Sequence, residues 1–195
     1  MPGKWKHGPG TEVTDHYSGS NVVMVDTNDS NLQKARKLGI EAISSNIYIE
    51  DLNDQIELVD IGYLIAMTMN HEVNNYAVKR YRNVFGEMGT FRLITPDELK
   101  KDKLALPRQG IFSYTDDFLN LNEVARDYPE IHELELEDKT HFITLVQCMG
   151  RASSQVPLFI KAPSGDLSTI PYDAEQPEVE AGSKLVYMGE PERVA

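Results

Sequence analysis

Between residues 21 and 95, strand-length apolar runs alternate with segments of helical period, and this alternation constrains the fold more than any other feature of the chain. Val22 to Val25 is a continuous apolar run suited to a strand buried on both faces. Asp29 or Ser30 can cap a helix whose Leu32, Ala35 and Leu38 share a face, with Gly39 as its stop. Ile40 to Ile43 forms a second strand. Leu52, Ile56 and Val59 mark a second helix, ended by Gly62. Tyr63 to Met67 is a third strand. Asn70 can cap a helix with the stripe Val73, Ala77, Tyr81 and Val84, and Thr90 to Ile94 is a fourth strand. Strands joined through helices cannot pair as hairpins, so the block is expected to form a parallel sheet.

Beyond this block the pattern changes. Residues 96–195 hold eight of the ten prolines. Thr95-Pro96-Asp97-Glu98 is a helix start of capping-box form, and a helical pattern runs from Phe118 to Tyr128. After Pro129 the period drops to two, through Ile131, Leu134 and Leu136. Phe142 to Val146, Val156 to Ile160 and Lys184 to Met188 are strand candidates, and Pro163 to Asp166 is a turn. The expected organisation is an irregular segment 1–20, an α/β domain 21–95, a helical connection 96–130, and a small β-rich domain 131–195. The last of these is α+β, with a mostly antiparallel sheet or small barrel.

Composition narrows the function classes. The net charge of −12 argues against a nucleic-acid partner, because phosphate binding is driven by Lys and Arg releasing counterions. Acidity concentrates late: residues 1–96 carry 9 basic and 12 acidic side chains, residues 97–195 carry 10 and 19. No apolar run approaches the roughly 20 residues of a membrane helix, and the first twenty residues do not read as a signal peptide. A single cysteine, Cys148, permits no intrachain disulfide, so a cytoplasmic location is expected.

No catalytic constellation emerges. His71-Glu72 lacks the second histidine of a zinc-protease helix, and His132 and His141 read as surface residues without metal-ligand spacing. Ser153 and Ser154 sit in no nucleophile elbow, and Trp5, Tyr17 and Tyr48 are too scattered for a stacking platform. No nucleophile pairs with a base, so a binding protein is favoured over a catalyst. Asp26 is the most informative acid. It closes a strand before a helix, where a dinucleotide-binding unit keeps a carboxylate for the ribose hydroxyls; a turn or cap residue would also stand there.

Three stretches, taken in order, carry a resemblance. They are Val-Val-Met-Val-Asp-Thr-Asn from Val22, Ala-Arg-Lys-Leu-Gly-Ile-Glu-Ala-Ile-Ser-Ser-Asn from Ala35, and Ile-Gly-Tyr-Leu-Ile-Ala-Met-Thr-Met-Asn-His-Glu-Val-Asn from Ile61. Residues 21–95 thus resemble the RCK or TrkA-N nucleotide-binding domains that regulate potassium channels, Trk-type uptake and cation–proton antiporters, most closely the version in bacterial sodium/proton antiporters. The stretch from Val179 to Gly189 resembles the last strand pair of their companion C-terminal domain. The resemblance implies a Rossmann-like parallel sheet followed by a smaller α+β, RCK-C-like domain. It also implies a membrane cation transporter as partner and a homo-oligomer, in the first instance a dimer. At matching positions Asp26 would take the ribose hydroxyls, Asn46 would lie near the adenine, and Thr68 and Asn70 would line the cleft.

The chain departs from that family at its start. The first strand, the G-x-G-x-x-G loop and the helix that holds the pyrophosphate have no counterpart; Gly8-Pro9-Gly10 follows no strand and opens no helix. Thr11 to Tyr17 could substitute, the sheet halves could close directly, another chain could pair there, or the sequence is a fragment. Either way pyrophosphate affinity should be poor, while NAD, NADH, AMP, ADP or ATP could bind weakly through base and ribose. Two alternatives stand beside the sensor: a Rossmann scaffold kept for oligomerisation, and, further off, an NAD-dependent enzyme using His71.

Overall fold

The computed structural model describes residues 22–58, 61–87, 89–99, 109–112, 117–152, 154–171 and 177–191. It divides into two compact units, Met1–Gly62 and Tyr63–Ala195. Trp5, Gly8-Pro9-Gly10, Thr11 to Tyr17, Val59 and Ser153 lie outside the described residues.

The first unit is a strand–helix–strand. β1 (Val23–Asp26) and β2 (Glu41–Ser44) pair in parallel, with Val23 opposite Glu41 and Asp26 opposite Ser44. Between them α1 (Asp29–Lys37) buries Leu32 and Ala35. Its cap is Asn28, one residue ahead of the expected Asp29 or Ser30, because the Asp26 carboxylate holds the Asn28 N–H at 2.9 Å and sets Asn28 in extended backbone. Asn28 Oδ1 then accepts the Ser30 N–H at 2.9 Å. Leu38 falls outside the buried face and is largely exposed. All four β1 residues are only half-buried. The expected burial on both faces is therefore not seen, and among the described residues β2 is the one strand that pairs with β1.

Where the sequence predicts a helix from Leu52 to Val59, the described residues form no α-helix but a 3₁₀ turn at Leu52–Asp54. Asp51 Oδ1 accepts from both the N–H and the amide of Asn53, and such side-chain bonds favour a turn over a continued helix. Leu52 and Leu58 are the buried residues of the segment.

The second unit opens with three parallel strands, β3 (Leu64–Ala66), β4 (Thr90–Leu93) and β5 (Gly110–Ile111), in that spatial order. The parallel pairing expected for the alternating block holds, but it occurs in two separate sheets and not in one. α2 (His71–Phe85) joins β3 to β4. Its buried face is Asn74, Ala77, Val78 and Tyr81; Val84, expected in the stripe, is exposed. Spacings of 74, 77, 78 and 81 describe one stripe at 3.6 residues per turn, whereas Val84 lies in the last turn. α3 (Pro96–Leu99) follows β4, and α4 (Phe118–Asp127) runs from the Asp117 cap.

A four-stranded antiparallel sheet completes this unit. β6 (Ile131–Glu135), β9 (Lys184–Gly189), β7 (Gln155–Lys161) and β8 (Leu167–Thr169) lie side by side in that order. Phe142 to Val146, expected as a strand, belongs instead to α5 (Lys139–Ala152). Buried Phe142, Val146 and Met149 stand four and three residues apart, a helical stripe that the mostly apolar run Phe142 to Val146 conceals.

β7 carries a bulge between Pro157 and Phe159. Pro157 lacks a backbone donor and sits where β8 does not reach, since β8 pairs only with Phe159 to Lys161. The extra residue changes the phase of the strand, so the two ends of β7 serve different cores. Ile160 packs with Phe142, Val146, Met149, Leu185 and Tyr187. Val156, with partly buried Leu158 and Met188, packs with Leu93, Ile111, Phe112, Leu121 and Val124. Each fully buried Leu, Ile, Val or Phe contributes about 1.5–3 kcal/mol relative to exposure.

β9 ends at Gly189, whose φ is 141°. Any β-carbon there would overlap the Ser154 carbonyl oxygen. Gly189→Ala should therefore lower stability by about 2–4 kcal/mol through both clash and strain, read as a reduced urea midpoint with an unchanged m-value.

Candidate functional site

In an open α/β sheet, ligands bind outside the carboxyl ends of parallel strands. At that end of β3 and β4 the second unit has a solvent-open cleft of about 440 Å³, lined by Met69, Asn70, His71, Thr95, Asp97 and Leu119. Three helix starts border it, those of α2, α3 and α4. The start of α4 is brought there by a parallel bridge between Ile94 and Asp117.

Asn74, fully buried on α2, holds the strand ends beside the cleft without lining it. Its Oδ1 accepts from the Thr68 N–H at 3.1 Å and stands 2.7 Å from the Thr68 hydroxyl. Its Nδ2 donates to the Thr68 carbonyl at 2.9 Å and to the Leu93 carbonyl at 3.4 Å. One carboxamide thereby clasps the end of β3 to the end of β4. Thr68 and Asn70 meet through the same clasp: the Asn70 N–H donates to Thr68 Oγ1 at 3.2 Å. Asn70 caps α2, accepting from the N–H groups of Glu72 and Val73 at 2.9 and 3.4 Å.

On the other side of β4, Arg92 and Glu98 form a buried pair with side chains 3% and 12% exposed. Nη1 and Nη2 reach Glu98 Oε2 and Oε1 at 3.0 and 2.7 Å, and Nη1 also donates to the Leu93 carbonyl at 3.2 Å. Glu98 Oε2 accepts the Thr95 N–H at 3.1 Å and the Thr95 hydroxyl at 3.0 Å, one half of the capping box expected from the sequence. Burial works to raise the Glu98 pKa, but Arg92 and the Thr95 N–H outweigh it and bring it from 4.5 down to about 2. The Leu93 carbonyl is therefore a shared acceptor for Asn74 and Arg92.

Asp26 and Asn46 belong to the first unit. Asp26 spends Oδ1 on the Asn28 N–H at 2.9 Å and Oδ2 on the Asn31 amide at 2.8 Å. Asn46 Oδ1 accepts the Tyr48 N–H at 3.0 Å, and its own N–H donates to Glu50 at 3.2 Å. Both residues organise turns after a strand.

His132 Nε2 lies 3.0 Å from the Gly189 carbonyl, and its ring sits against Tyr187 with centroids 5.2 Å apart. The Glu137 N–H approaches His141 Nδ1 at 3.3 Å. Among the described residues no group of three or more His, Cys, Asp or Glu could hold a metal ion. Sequence reasoning missed Asn74 and Arg92. The signal for Asn74 was available: a carboxamide at a core position of an apolar stripe needs buried partners. Nothing in the sequence singles out Arg92. No protein-family model matches the chain, and a search of curated proteins finds no match.

Two outcomes test this architecture. Asn74→Asp keeps the shape but points a carboxylate at two carbonyls, and should cost about 2–4 kcal/mol in chemical denaturation. Glu98, its pKa depressed by folding, contributes stability that is present above about pH 4.5 and is lost as pH falls toward about 2. Glu98→Gln should flatten that decline by roughly 2–3 kcal/mol in a series of denaturation curves across this window.

Proposed function

We propose that the chain is a cytosolic regulatory module of a sodium or potassium/proton transport system, one that senses an adenine nucleotide and acts through a homo-oligomer. Strand order carries the reading. A dinucleotide-binding sheet has the order 3-2-1-4-5-6, and without its first strand two parallel runs remain, 3-2 and 4-5-6. The parallel runs here, β2-β1 and β3-β4-β5, have that order, with a helix between β1 and β2 and another between β3 and β4. Each run, taken by itself, has the parallel strand–helix–strand form found in Rossmann-like sheets. The antiparallel sheet with α5 supports an RCK-C-like part, although it shares one compact unit and a core with β3, β4 and β5. The cleft supports a ligand role for the carboxyl end of β3, where Asn70 lines the opening; Thr68 bonds Asn70 and is not itself in the lining. No described helix is long and apolar enough to cross a membrane.

One observation favours a second reading, a scaffold kept for oligomerisation alone. Both Asp26 oxygens are already engaged, so ribose hydroxyls would have to displace the Asn28 and Asn31 bonds. Differential scanning fluorimetry separates the two. Under the sensor reading, at least one of NAD, NADH, AMP, ADP or ATP at millimolar concentration raises the melting temperature by about 2 °C or more. Silence from all five removes the sensor reading and leaves the scaffold. A monomer by light scattering at every accessible concentration would remove the scaffold.

A further inference from the structure

We infer that Thr68, Asn74, Arg92 and Glu98 are positioning residues for the ligand of the cleft, and that they act as one unit. None of the four is in the lining. The inference rests on the nucleotide-sensing reading, with the cleft as the place where the nucleotide sits.

The two rims of the cleft come from separate stretches of chain. Met69, Asn70 and His71 follow β3, and Thr95 and Asp97 follow β4. A continuous run of hydrogen bonds joins one rim to the other. It starts at the Asn70 N–H, which donates to Thr68 Oγ1 at 3.2 Å. Thr68 reaches Asn74 Oδ1 through its N–H at 3.1 Å and its hydroxyl at 2.7 Å. Asn74 Nδ2 donates to the Leu93 carbonyl at 3.4 Å, and Arg92 Nη1 donates to the same oxygen at 3.2 Å. Arg92 also holds both Glu98 oxygens, at 3.0 and 2.7 Å. Glu98 Oε2 closes the run by accepting the Thr95 N–H and hydroxyl at 3.1 and 3.0 Å.

Both ends of this run, Asn70 and Thr95, line the opening. Leu119, on the third side, stands two residues beyond Asp117, and Asp117 bridges Ile94, the residue between Leu93 and Thr95. Asn74 and Arg92 are buried and the Glu98 side chain is 12% exposed, so water is poorly placed to replace a lost bond. Losing one link frees one rim relative to the other. A ligand that touches both rims must then restore their spacing as it binds, and the cost appears in its affinity. Because the links stand in series, breaking a second one adds little to breaking the first.

Isothermal titration calorimetry on the full chain with NAD, NADH, AMP, ADP and ATP tests the inference, each variant being shown folded by circular dichroism at the titration temperature. Thr68→Val keeps the shape and loses the hydroxyl, and should raise the Kd of a bound nucleotide about threefold to tenfold. Thr68→Ser should bring it back to within about twofold of the parent chain. Glu98→Gln alone should weaken binding by a factor similar to Thr68→Val. The double variant should be weaker than the poorer single variant by no more than about twofold. Factors that multiply in the double variant would overturn the inference, since they would mark two independent residues. A nucleotide that binds every variant as well as the parent chain, while the variants melt at lower temperature, would also overturn it and leave the sensing reading intact. No heat with any of the five nucleotides would remove the sensing reading and the inference with it.

Discussion

The carboxyl end of the parallel sheet depends on one buried carboxamide. Asn74 uses both amide hydrogens and its oxygen on Thr68 and Leu93, so its position admits one arrangement. Without it the last turn of chain after β3 would have no fixed relation to β4, and the cap at Asn70 would have no fixed start. Arg92 approaches the same Leu93 carbonyl from its own strand and ties it to α3 through Glu98. Two buried polar groups thus fix what the apolar core cannot, because hydrophobic packing has no direction.

The period of the sequence revealed every strand of the parallel runs except β5, a two-residue strand too short to show any pattern. It also revealed the Asn70 cap, the Thr95 capping box and the α4 helix. What stayed hidden depends on contacts between distant residues. The run Phe142 to Val146 is apolar but for Thr144 and reads equally as a strand, whereas in the fold it packs as a helix against Leu185 and Tyr187. The segment after Asp51 keeps a helical spacing of leucine and isoleucine, yet its Asp and Asn side chains bond the local backbone. Of the four residues singled out for binding, Thr68 and Asn70 meet at one strand end, while Asp26 and Asn46 each hold a turn in the first unit. A short polar residue after a strand serves either task, and sequence alone does not separate them.

The capped helix starts bear on how such a module could change its ligand without changing its fold. A phosphate loop binds through backbone N–H groups that glycine leaves bare. Where side-chain caps fill those positions, the same helices keep their stability and lose their appetite for anions. Recognition then passes to side chains on the rim, which can vary with little effect on the core.

The bulge at Pro157 gives the antiparallel sheet two greasy sides. One side is covered by α5, and the other meets α4 through Val156, Leu158 and Met188. A protein trimmed to begin at residue 131 would keep the first cover and lose the second. Its naked face would be a ready seed for aggregation, so a soluble miniature of this half has to retain the helix that precedes it.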